Sequence, residues 1–309
     1  TLDRVLKREM QAIKKEFANP RRTQIEDTVQ KLTVDTRVTV ADEDVIVLVS
    51  AAGYIKRSSI RSFKASEVGD NGLREDDYPL LLEQTTTLSH LYMFTNQGRF
   101  IYRPVHELTD ARWKDTGEHL SQTIDLDDDE VIVKAMLLDK LDLPGTFIFA
   151  TSDGQVKQSA LSDYQPGSRY KTHASVAIKL REGAQVVSVD YFEPEQAGQS
   201  VLAISREGYA LRFAVEDVPV TGVRTAGVRA INLKEDDQLV GISLAGDGDH
   251  LGLVTQRGAF KEMAVSDLEV GARARRGNLV LHRLKKNPHQ VVAFVTHPAD
   301  FTGALEIIT

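Results

Sequence analysis

One sequence plan recurs five times along this chain of 309 residues. In each copy an apolar segment reaches a turn that contains glycine, and a second strand-like segment leaves that turn. The five turn glycines are separated by 45, 56, 54 and 50 residues, close to the length of one blade of a β-propeller. An apolar or aromatic side chain stands ten residues after every one of them. The turn glycines are Gly53, Gly98, Gly154, Gly208 and Gly258.

Each copy contains four segments of strand length. Two of them flank the turn glycine, and two further apolar pieces, such as 124–126 and 131–132, recur between successive glycines. A glycine between two strands is what a tight hairpin needs, because glycine adopts a positive φ without steric cost. The repeat therefore predicts an all-β fold built from four-stranded blades.

The two ends of the repeated region bear on the number of blades. Residues 304–309, ALEIIT, look like the opening strand of a sixth copy. Apolar and polar side chains alternate over 32–40, which predicts a half-buried strand that can help to close a ring and remove its exposed edges. We expect a six-bladed ring over 32–309, its sixth blade either truncated in sequence or completed by the N-terminal strand.

An amphipathic helix is predicted before the ring. Its apolar residues recur at spacings of three and four, and Asn19-Pro20 ends the pattern because proline disfavours helical geometry at the residue before it. We expect residues 1–31 to form a helical connector distinct from the ring. The apolar stripe consists of Leu2, Val5, Leu6, Met10, Ile13 and Phe17.

Composition excludes several kinds of chemistry. The chain has no cysteine, so it has no disulfide, no thiolate nucleophile and no cysteine-ligated zinc. It contains no phosphate-binding loop of the Walker form and no nucleophile elbow, and its eight histidines show no metal-ligand spacing. No apolar run approaches the roughly 20 residues of a membrane span. We therefore expect a cytoplasmic protein with no membrane association, no catalytic residue, no metal site and no cofactor in this chain.

Three local patterns resemble functional motifs but are better explained by structure. The acidic run Gly246-Asp247-Gly248-Asp249 lies where other repeats have hairpin turns, so a turn is favoured over a calcium loop. Trp113 lacks the following Asp of WD40 blades, and we expect it to anchor the core or a loop. The pair at 169–170, Arg-Tyr, lies between strands, away from the helical context of a DNA-cleaving tyrosine.

Charge is distributed unevenly. The formal net charge of -7 by itself argues against a polyanionic partner, but acids concentrate in 67–77 and 125–130, whereas 218–234 has two arginines without an acid. Cations also recur just after the turn glycines. A belt of cations around one rim would suit the backbone of a DNA duplex, whose binding is insensitive to sequence. The candidate DNA-binding residues are Lys56, Arg57, Arg99, Arg103, Lys157, Arg169, Lys171, Arg212, Arg224, Arg229, Lys261, Arg273, Arg275 and Arg276.

Four stretches together resemble the C-terminal region of the A subunit of bacterial type IIA topoisomerases. They are NPRRTQI (19–25), EDVIVLVSAAGYIKR (43–57), MFTNQGRFIYRPVHEL (93–108) and RWKDTGEHLSQTI (112–124). Within that family the chain is most similar to the topoisomerase IV kind of Gram-positive bacteria. The resemblance implies a six-bladed β-pinwheel, a propeller-like ring that exchanges strands between neighbouring blades and binds and bends double-stranded DNA on its outer rim.

The same resemblance implies the context of this chain. The parent would be an ATP-dependent type II DNA topoisomerase, an A2B2 heterotetramer in which the B subunit of topoisomerase IV carries the ATP and magnesium sites. The catalytic tyrosine would lie before this fragment, in the breakage-reunion region from which residues 1–31 would be the helical connector. The fragment would be non-catalytic by itself, monomeric when isolated and associated with the nucleoid.

One departure from DNA gyrase bears on function. Gyrase carries a basic, glycine-rich box after its first blade motif, whereas this chain has KASEVGDNGLREDD at 64–77. Chiral wrapping with negative supercoiling is therefore disfavoured. The expected role is the capture and orientation of duplex DNA for relaxation and decatenation during chromosome segregation.

An alternative function is a propeller-type protein-interaction platform, which the acidic segments 67–77 and 125–130 would support. No group of residues in the sequence supports a third hypothesis, a free-standing enzyme with a site in the central channel. The first two hypotheses differ in salt dependence, because neutralising phosphates makes duplex affinity fall steeply with ionic strength.

Overall fold

The computed structural model describes residues 2–19, 40–67, 69–194, 198–282, 284 and 286–303. The chain divides into two compact units, the first ending at Thr36 and the second beginning at Arg37. In the first unit helix α1 spans Leu2–Phe17, in agreement with its apolar spacing. No helix within the described ranges is long and apolar enough to cross a membrane.

The described residues of the second unit form antiparallel β-sheets, a short α-helix, α2 (Ile60–Lys64), and several 3₁₀ turns. Its strands in the described ranges are β1 Asp44–Ser50, β2 Tyr54–Ser59, β3 Pro79–Thr86, β4 His90–Thr95, β5 Arg99–Pro104, β6 Glu118–His119, β7 Ile132–Leu138, β8 Thr146–Thr151, β9 Gln155–Ala160, β10 Ser175–Val176, β11 Val186–Phe192, β12 Ser200–Ser205, β13 Tyr209–Ala214, β14 Val228–Arg229, β15 Leu239–Ala245, β16 Asp249–Thr255, β17 Phe260–Ala264, β18 Asn278–Leu279 and β19 Val291–Pro298.

Each repeat forms one sheet around its hairpin. The first sheet has the order β3-β1-β2-β6, and three more four-stranded sheets follow the same plan: β7-β4-β5-β10, β11-β8-β9-β14 and β15-β12-β13-β18. The last strand in each of these orders comes from the following repeat, so the strand exchange implied by the resemblance is present. A fifth sheet, β19-β16-β17, contains three strands in the described part of the chain.

The hairpins confirm the turn prediction. All five turn glycines have positive φ, for example +93° at Gly53, and the strands on either side pair in register, as Val49 does with Ile55. Residues 246–248 form a turn between β15 and β16, which lie in different sheets, so the turn is not a hairpin; the carboxylate of Asp249, the first residue of β16, accepts the Gly246 N–H at 2.7 Å. That run is therefore a turn, as expected.

The core lies between successive repeats. One cluster of buried side chains joins repeats 1 and 2, and three more join repeats 2 and 3, 3 and 4, and 4 and 5. We call these four boundaries between successive repeats the first to fourth seams. The aromatic rings of Phe94 and Phe147, from repeats 2 and 3, lie 4.9 Å apart. Because each repeat buries its apolar face only against its neighbours, the blades depend on one another for stability.

The strand order sets an inside and an outside. Residues of β7, β11, β15 and β19 line one cavity, where Lys134 and Asp190 form an ion pair of 3.7 Å. The exchanged two-residue strands lie at the opposite edge of each sheet, at its rim. The all-β fold of four-stranded sheets is therefore confirmed. The expected sixth blade depends on 304–309 and 32–40, which lie outside the described residues except for position 40.

Candidate nucleic-acid interface

Four segments of twelve residues carry the chain from one sheet to the rim of the preceding one. Each begins after a short 3₁₀ turn and ends in the exchanged strand. We call them the crossover segments: 108–119, 165–176, 218–229 and 268–279.

Glycine lets a crossover segment lie close to the preceding blade. Gly117 has φ +91°, and a Cβ there would stand 2.5 Å from the carbonyl oxygen of Ile55. Gly227 and Gly277 occupy the same place in their segments, also with positive φ, whereas 165–176 has Ala174 there. At three of the four seams, a glycine in the sequence therefore allows the chain to lie close to the rim of the preceding blade.

A buried lysine fastens the first crossover segment. The Lys56 side chain is fully buried, and its Nζ donates hydrogen bonds to the carbonyl oxygens of Asn71 and Asp115, both at 2.6 Å, and to that of Trp113. Burial lowers the pKa of Lys56 to about 8, and the charge of Asp115 opposes this shift. The cation therefore supplies donors to backbone carbonyls that would otherwise be buried without partners.

Lys157 does the same at the third seam. Its buried Nζ donates to the carbonyl oxygens of Ala177, at 3.0 Å, and Val223, at 2.8 Å. Burial lowers its pKa to about 8, against a raising effect of Asp163. Lys56 and Lys157 both stand three residues after a turn glycine, so the same position performs the same task in two repeats.

Arg103 takes this role at the second seam. Its guanidinium donates to the carbonyl oxygens of Tyr170, at 2.6 Å, and Lys171, at 2.8 Å, and to the Thr123 hydroxyl. Burial lowers the pKa of Arg103, and Glu118 is the largest opposing influence. Two carbonyls of one crossover segment are thus held by one side chain of the preceding blade.

Arg212 occupies the fourth seam. Its Nε donates to the Ser200 hydroxyl at 2.6 Å, its Nη1 contacts the carbonyl oxygens of Val265 and Leu268, and its Nη2 pairs with Asp247 at 2.6 Å. The side chain is 4% exposed, so it belongs to the blade interior.

The expected belt of cations after the turn glycines is therefore corrected. Lys56, Arg103, Lys157 and Arg212 are buried and bonded to the protein's own groups, so a duplex at the surface cannot reach them in this structure. The prediction was wrong for these four because a charged residue in a strand was assumed to face solvent.

Three other cations that follow the turn glycines are half-buried or exposed. Arg57 is half-buried, and half-buried Arg99 pairs with the fully buried Glu130 carboxylate, with an Nε to Oε1 distance of 2.8 Å. Lys261 is exposed, and its Nζ donates to the Val280 carbonyl oxygen at 2.6 Å.

Exposed cations lie on the crossover segments themselves. Arg112-Trp113-Lys114 and Arg169-Tyr170-Lys171 occupy the same place in two segments, and 273–275, Arg-Ala-Arg, follows one position later in the last. The middle aromatic residue faces the protein: Trp113 is fully buried, as expected of an anchor, and the Tyr170 hydroxyl donates to Glu107 at 2.9 Å. Arg112 and Lys114 were missed by the sequence analysis, although this Arg-x-Lys pattern could have revealed them.

The last two crossover segments are joined to each other. The Ala274 N–H donates to the Ala230 carbonyl at 2.7 Å, and the half-buried Arg273 guanidinium donates to the carbonyls of Asp217 and Arg229. The structure thus brings Arg273 and Arg229 together from different repeats.

Several cations around this junction are free of acids. Arg276 is exposed, with its guanidinium 5.9 Å from the centre of the Tyr209 ring. No ion pair within the described residues involves the cations of this group: Arg224, Arg229, Arg273, Arg275 and Arg276. We call these five the junction arginines.

Cations on the first two crossover segments have acidic partners. Arg112 pairs with Asp115 at 3.1 Å and Lys114 with Asp70 at 2.6 Å. On the second segment Lys171 pairs with Glu107 at 3.0 Å, whereas Arg169 is exposed without an ion pair in the described structure. The positive surface is therefore strongest at the fourth seam.

The acidic loop that stands in place of the gyrase box is held against the first crossover segment. Trp113 Nε1 donates to the Glu67 carbonyl at 3.2 Å, and Asp70 accepts the ion pair from Lys114. Glu67 and Asp70 are thus fixed to the first crossover segment, and Lys56 of β2 bonds the Asn71 carbonyl of the same loop.

Comparison with known proteins agrees with this architecture. The family model of the DNA gyrase C-terminal domain, a β-propeller, matches residues 44–66, 89–139, 146–192 and 199–245, more than half of the chain. The chain belongs to the DNA gyrase C-terminal domain family. These matches cover the hairpins of the first four sheets and the inner strands of the second to fourth, whereas Arg273 and Arg275 lie beyond them.

Relatives within the gyrase C-terminal domain family support the topoisomerase IV resemblance. The A subunit of DNA topoisomerase 4 from Streptococcus pneumoniae is 41% identical over 94% of this chain, and that from Bacillus subtilis is also 41% identical over 94%. The chain spans 35% of the length of both relatives. A crystal structure of the C-terminal domain of DNA topoisomerase IV matches with a TM-score of 0.77 and 39% identity, covering 84% of this chain and 79% of that one.

Proposed function

We propose that this chain is a non-catalytic, sequence-tolerant DNA-binding and DNA-bending domain whose contact surface is centred on the fourth seam. The observation that carries the proposal is the junction of crossover segments 218–229 and 268–279, which are hydrogen-bonded to each other and present arginines that pair with no acid in the described part of the chain.

The chemistry of this surface suits a phosphate backbone. Guanidinium groups bind phosphate oxygens through paired hydrogen bonds, and neutralising phosphates releases counterions irrespective of base sequence. The junction arginines lie on rim segments that follow one another around the ring. A duplex that contacts both segments would follow this curved edge, which favours bending over straight binding.

The wider role follows from the family. Relatives named as A subunits of DNA topoisomerase 4 support a parent enzyme that acts with a B subunit in an A2B2 assembly, with this domain capturing and orienting duplex DNA for relaxation and decatenation during chromosome segregation. The acidic loop at 64–77 supports a limited contact arc without the wrapping of gyrase. We propose a six-bladed ring associated with the nucleoid in the cytoplasm.

Salt-dependent binding tests the proposal. Fluorescence anisotropy with a labelled duplex, at a series of salt concentrations, should show affinity falling steeply as salt rises. The triple variant Arg273→Glu, Arg275→Glu, Arg276→Glu should bind at least about tenfold more weakly at low salt and show a smaller salt slope, because it loses about three phosphate contacts. Lys140→Glu, an exposed cation between β7 and β8, is the matched control and should bind like the wild type.

Two results would contradict the proposal. Wild-type protein that shows no salt-sensitive duplex binding would favour the protein-interaction platform instead. A folded triple variant with wild-type affinity would remove the fourth seam as the contact surface.

A further inference from the structure

We infer that three acids, Asp70, Asp115 and Glu107, limit the DNA footprint by pairing with the cations of the first two crossover segments. This inference rests on the proposed function. It names the residues that decide which seams a duplex contacts.

The first crossover segment carries two exposed cations, and each of them has an acidic partner. Arg112 and Lys114 are exposed, with 83% and 62% of their side chains accessible, and they pair with Asp115 and Asp70. The hydrogen bonds that these cations donate to the carboxylates raise the pKa of both cations. The cations are therefore placed as a DNA contact requires, but each has a carboxylate beside it.

One carboxylate organises the second crossover segment. Glu107 accepts both the Lys171 ammonium, at 3.0 Å, and the Tyr170 hydroxyl, at 2.9 Å. It lies in the 3₁₀ turn Val105–Glu107, just before the first crossover segment, and reaches the second segment through these two contacts. A phosphate that approached Lys171 would meet this negative charge at close range.

The segments differ in acids more than in cations. Segment 108–119 contains two Lys or Arg residues and three acids, whereas 218–229 contains two arginines and no acid. The Arg-x-Lys pattern at 112–114 corresponds to the Arg-x-Arg pattern at 273–275, where no described acid pairs with either arginine. The presence of acidic partners therefore separates the early seams from the fourth.

Exposed ion pairs are weak enough for such a role. Solvent screens a pair of this kind and holding two long side chains together costs entropy, so a phosphate can replace the carboxylate as partner. The displaced carboxylate remains within a Debye length of the phosphate and repels it, which cancels much of the gain from the cation. Removing the acid should add a phosphate contact without creating a new cation.

Neutral variants test the inference. Glu107→Gln should increase the slope of log affinity against log salt by about 0.9, and Asp70→Asn combined with Asp115→Asn by up to about 1.8. Both variants should also need a longer duplex to reach full affinity, because the contact arc extends to earlier seams. Glu182→Gln, an exposed acid outside every ion pair in the described structure, is the matched control.

A second substitution separates the charge effect from a structural one. Adding Lys171→Gln to Glu107→Gln should return the slope to the wild-type value, since the freed cation is gone. Unchanged slope and duplex length in the folded acid variants, with a wild type that binds DNA, would overturn the inference alone. A wild type that does not bind duplex would overturn the proposed function and this inference together.

Discussion

The Arg103 guanidinium donates a hydrogen bond of 2.6 Å to the carbonyl oxygen of Tyr170, across the seam between the second and third repeats. Lys56 makes the corresponding bond to Trp113, and Lys157 makes it to Val223. Some carbonyls of a crossover segment accept a backbone N–H of the preceding blade, as Thr109 does from Arg57 of β2, but those of Trp113, Tyr170 and Val223 accept from side chains. A long side chain reaches these carbonyls, so its N–H donors bond the protein's own backbone and are not available to a ligand.

Arg103→Met should destabilise the domain by about 3 kcal/mol. The substitution keeps much of the side-chain volume but leaves the carbonyls of Tyr170 and Lys171 without donors in a buried place. Urea unfolding followed by circular dichroism measures the change. The control is Arg169→Met. Arg169 is exposed on crossover segment 165–176, to which Arg103 bonds, and its replacement should leave the free energy of unfolding within about 0.5 kcal/mol of the wild-type value. Equal stability of the two variants would contradict the structural role of Arg103.

Stability should rise between about pH 8 and pH 10 because of two buried lysines. The folded-state pKa of Lys56 and of Lys157 is about 8, below the usual 10.5, so the unfolded chain binds more protons in this range. The stabilisation is complete above the unfolded pKa and is lost as pH falls through about 8. Thermal unfolding at pH 8, 9 and 10 tests this, and Lys56→Met with Lys157→Met should remove the rise.

The rise in stability with pH should end near pH 10. Burial raises the pKa of Tyr92, Tyr102 and Tyr164 above the usual 10, so the unfolded chain loses phenolic protons before the folded one does. Each such group lowers the free energy of unfolding as pH increases beyond 10. A thermal unfolding midpoint that keeps increasing above pH 10 would contradict the burial of these tyrosines.

Gly117→Ala should cost about 2 kcal/mol or more. Its φ of +91° is strained for alanine, and the added Cβ would lie 2.5 Å from the carbonyl oxygen of Ile55. Gly69→Ala provides the control, because its φ is not in the left-handed region and nothing lies within 4 Å of its Cβ position. Denaturant unfolding should leave Gly69→Ala within about 0.5 kcal/mol of the wild type. Similar losses in both would mean that Gly117 is not a close-approach site.

Repeat spacing predicted the hairpins correctly because each turn needs a residue with positive φ, and Gly53 and its counterparts meet that need at a fixed offset. Burial of Lys56 could not be predicted the same way. It follows Ile55, which is also buried, so the strand does not alternate. A segment from another repeat covers Lys56, and alternation in one strand carries no information about that cover. The unpaired arginines near Arg273 were found because charge along a segment is visible without knowing its neighbours.

Trp113 should link the first crossover segment to the acidic loop. Its ring packs edge-on against Phe63 at 4.8 Å, lies 4.7 Å from Lys56 Nζ, and its Nε1 donates to the Glu67 carbonyl. Trp113→Leu should destabilise the domain by about 3 kcal/mol and speed hydrogen exchange at residues 65–78 beyond the change elsewhere.

Trp113→Phe distinguishes packing from hydrogen bonding at the same site. It keeps an aromatic ring against Phe63 but removes the donor to Glu67, so it should lose less stability than Trp113→Leu while still speeding exchange near Glu67. Hydrogen exchange read by mass spectrometry resolves the two effects. Exchange in the loop that is unchanged in both variants would show that Lys56 and Lys114 hold it without the indole, since their bonds to Asn71 and Asp70 would remain.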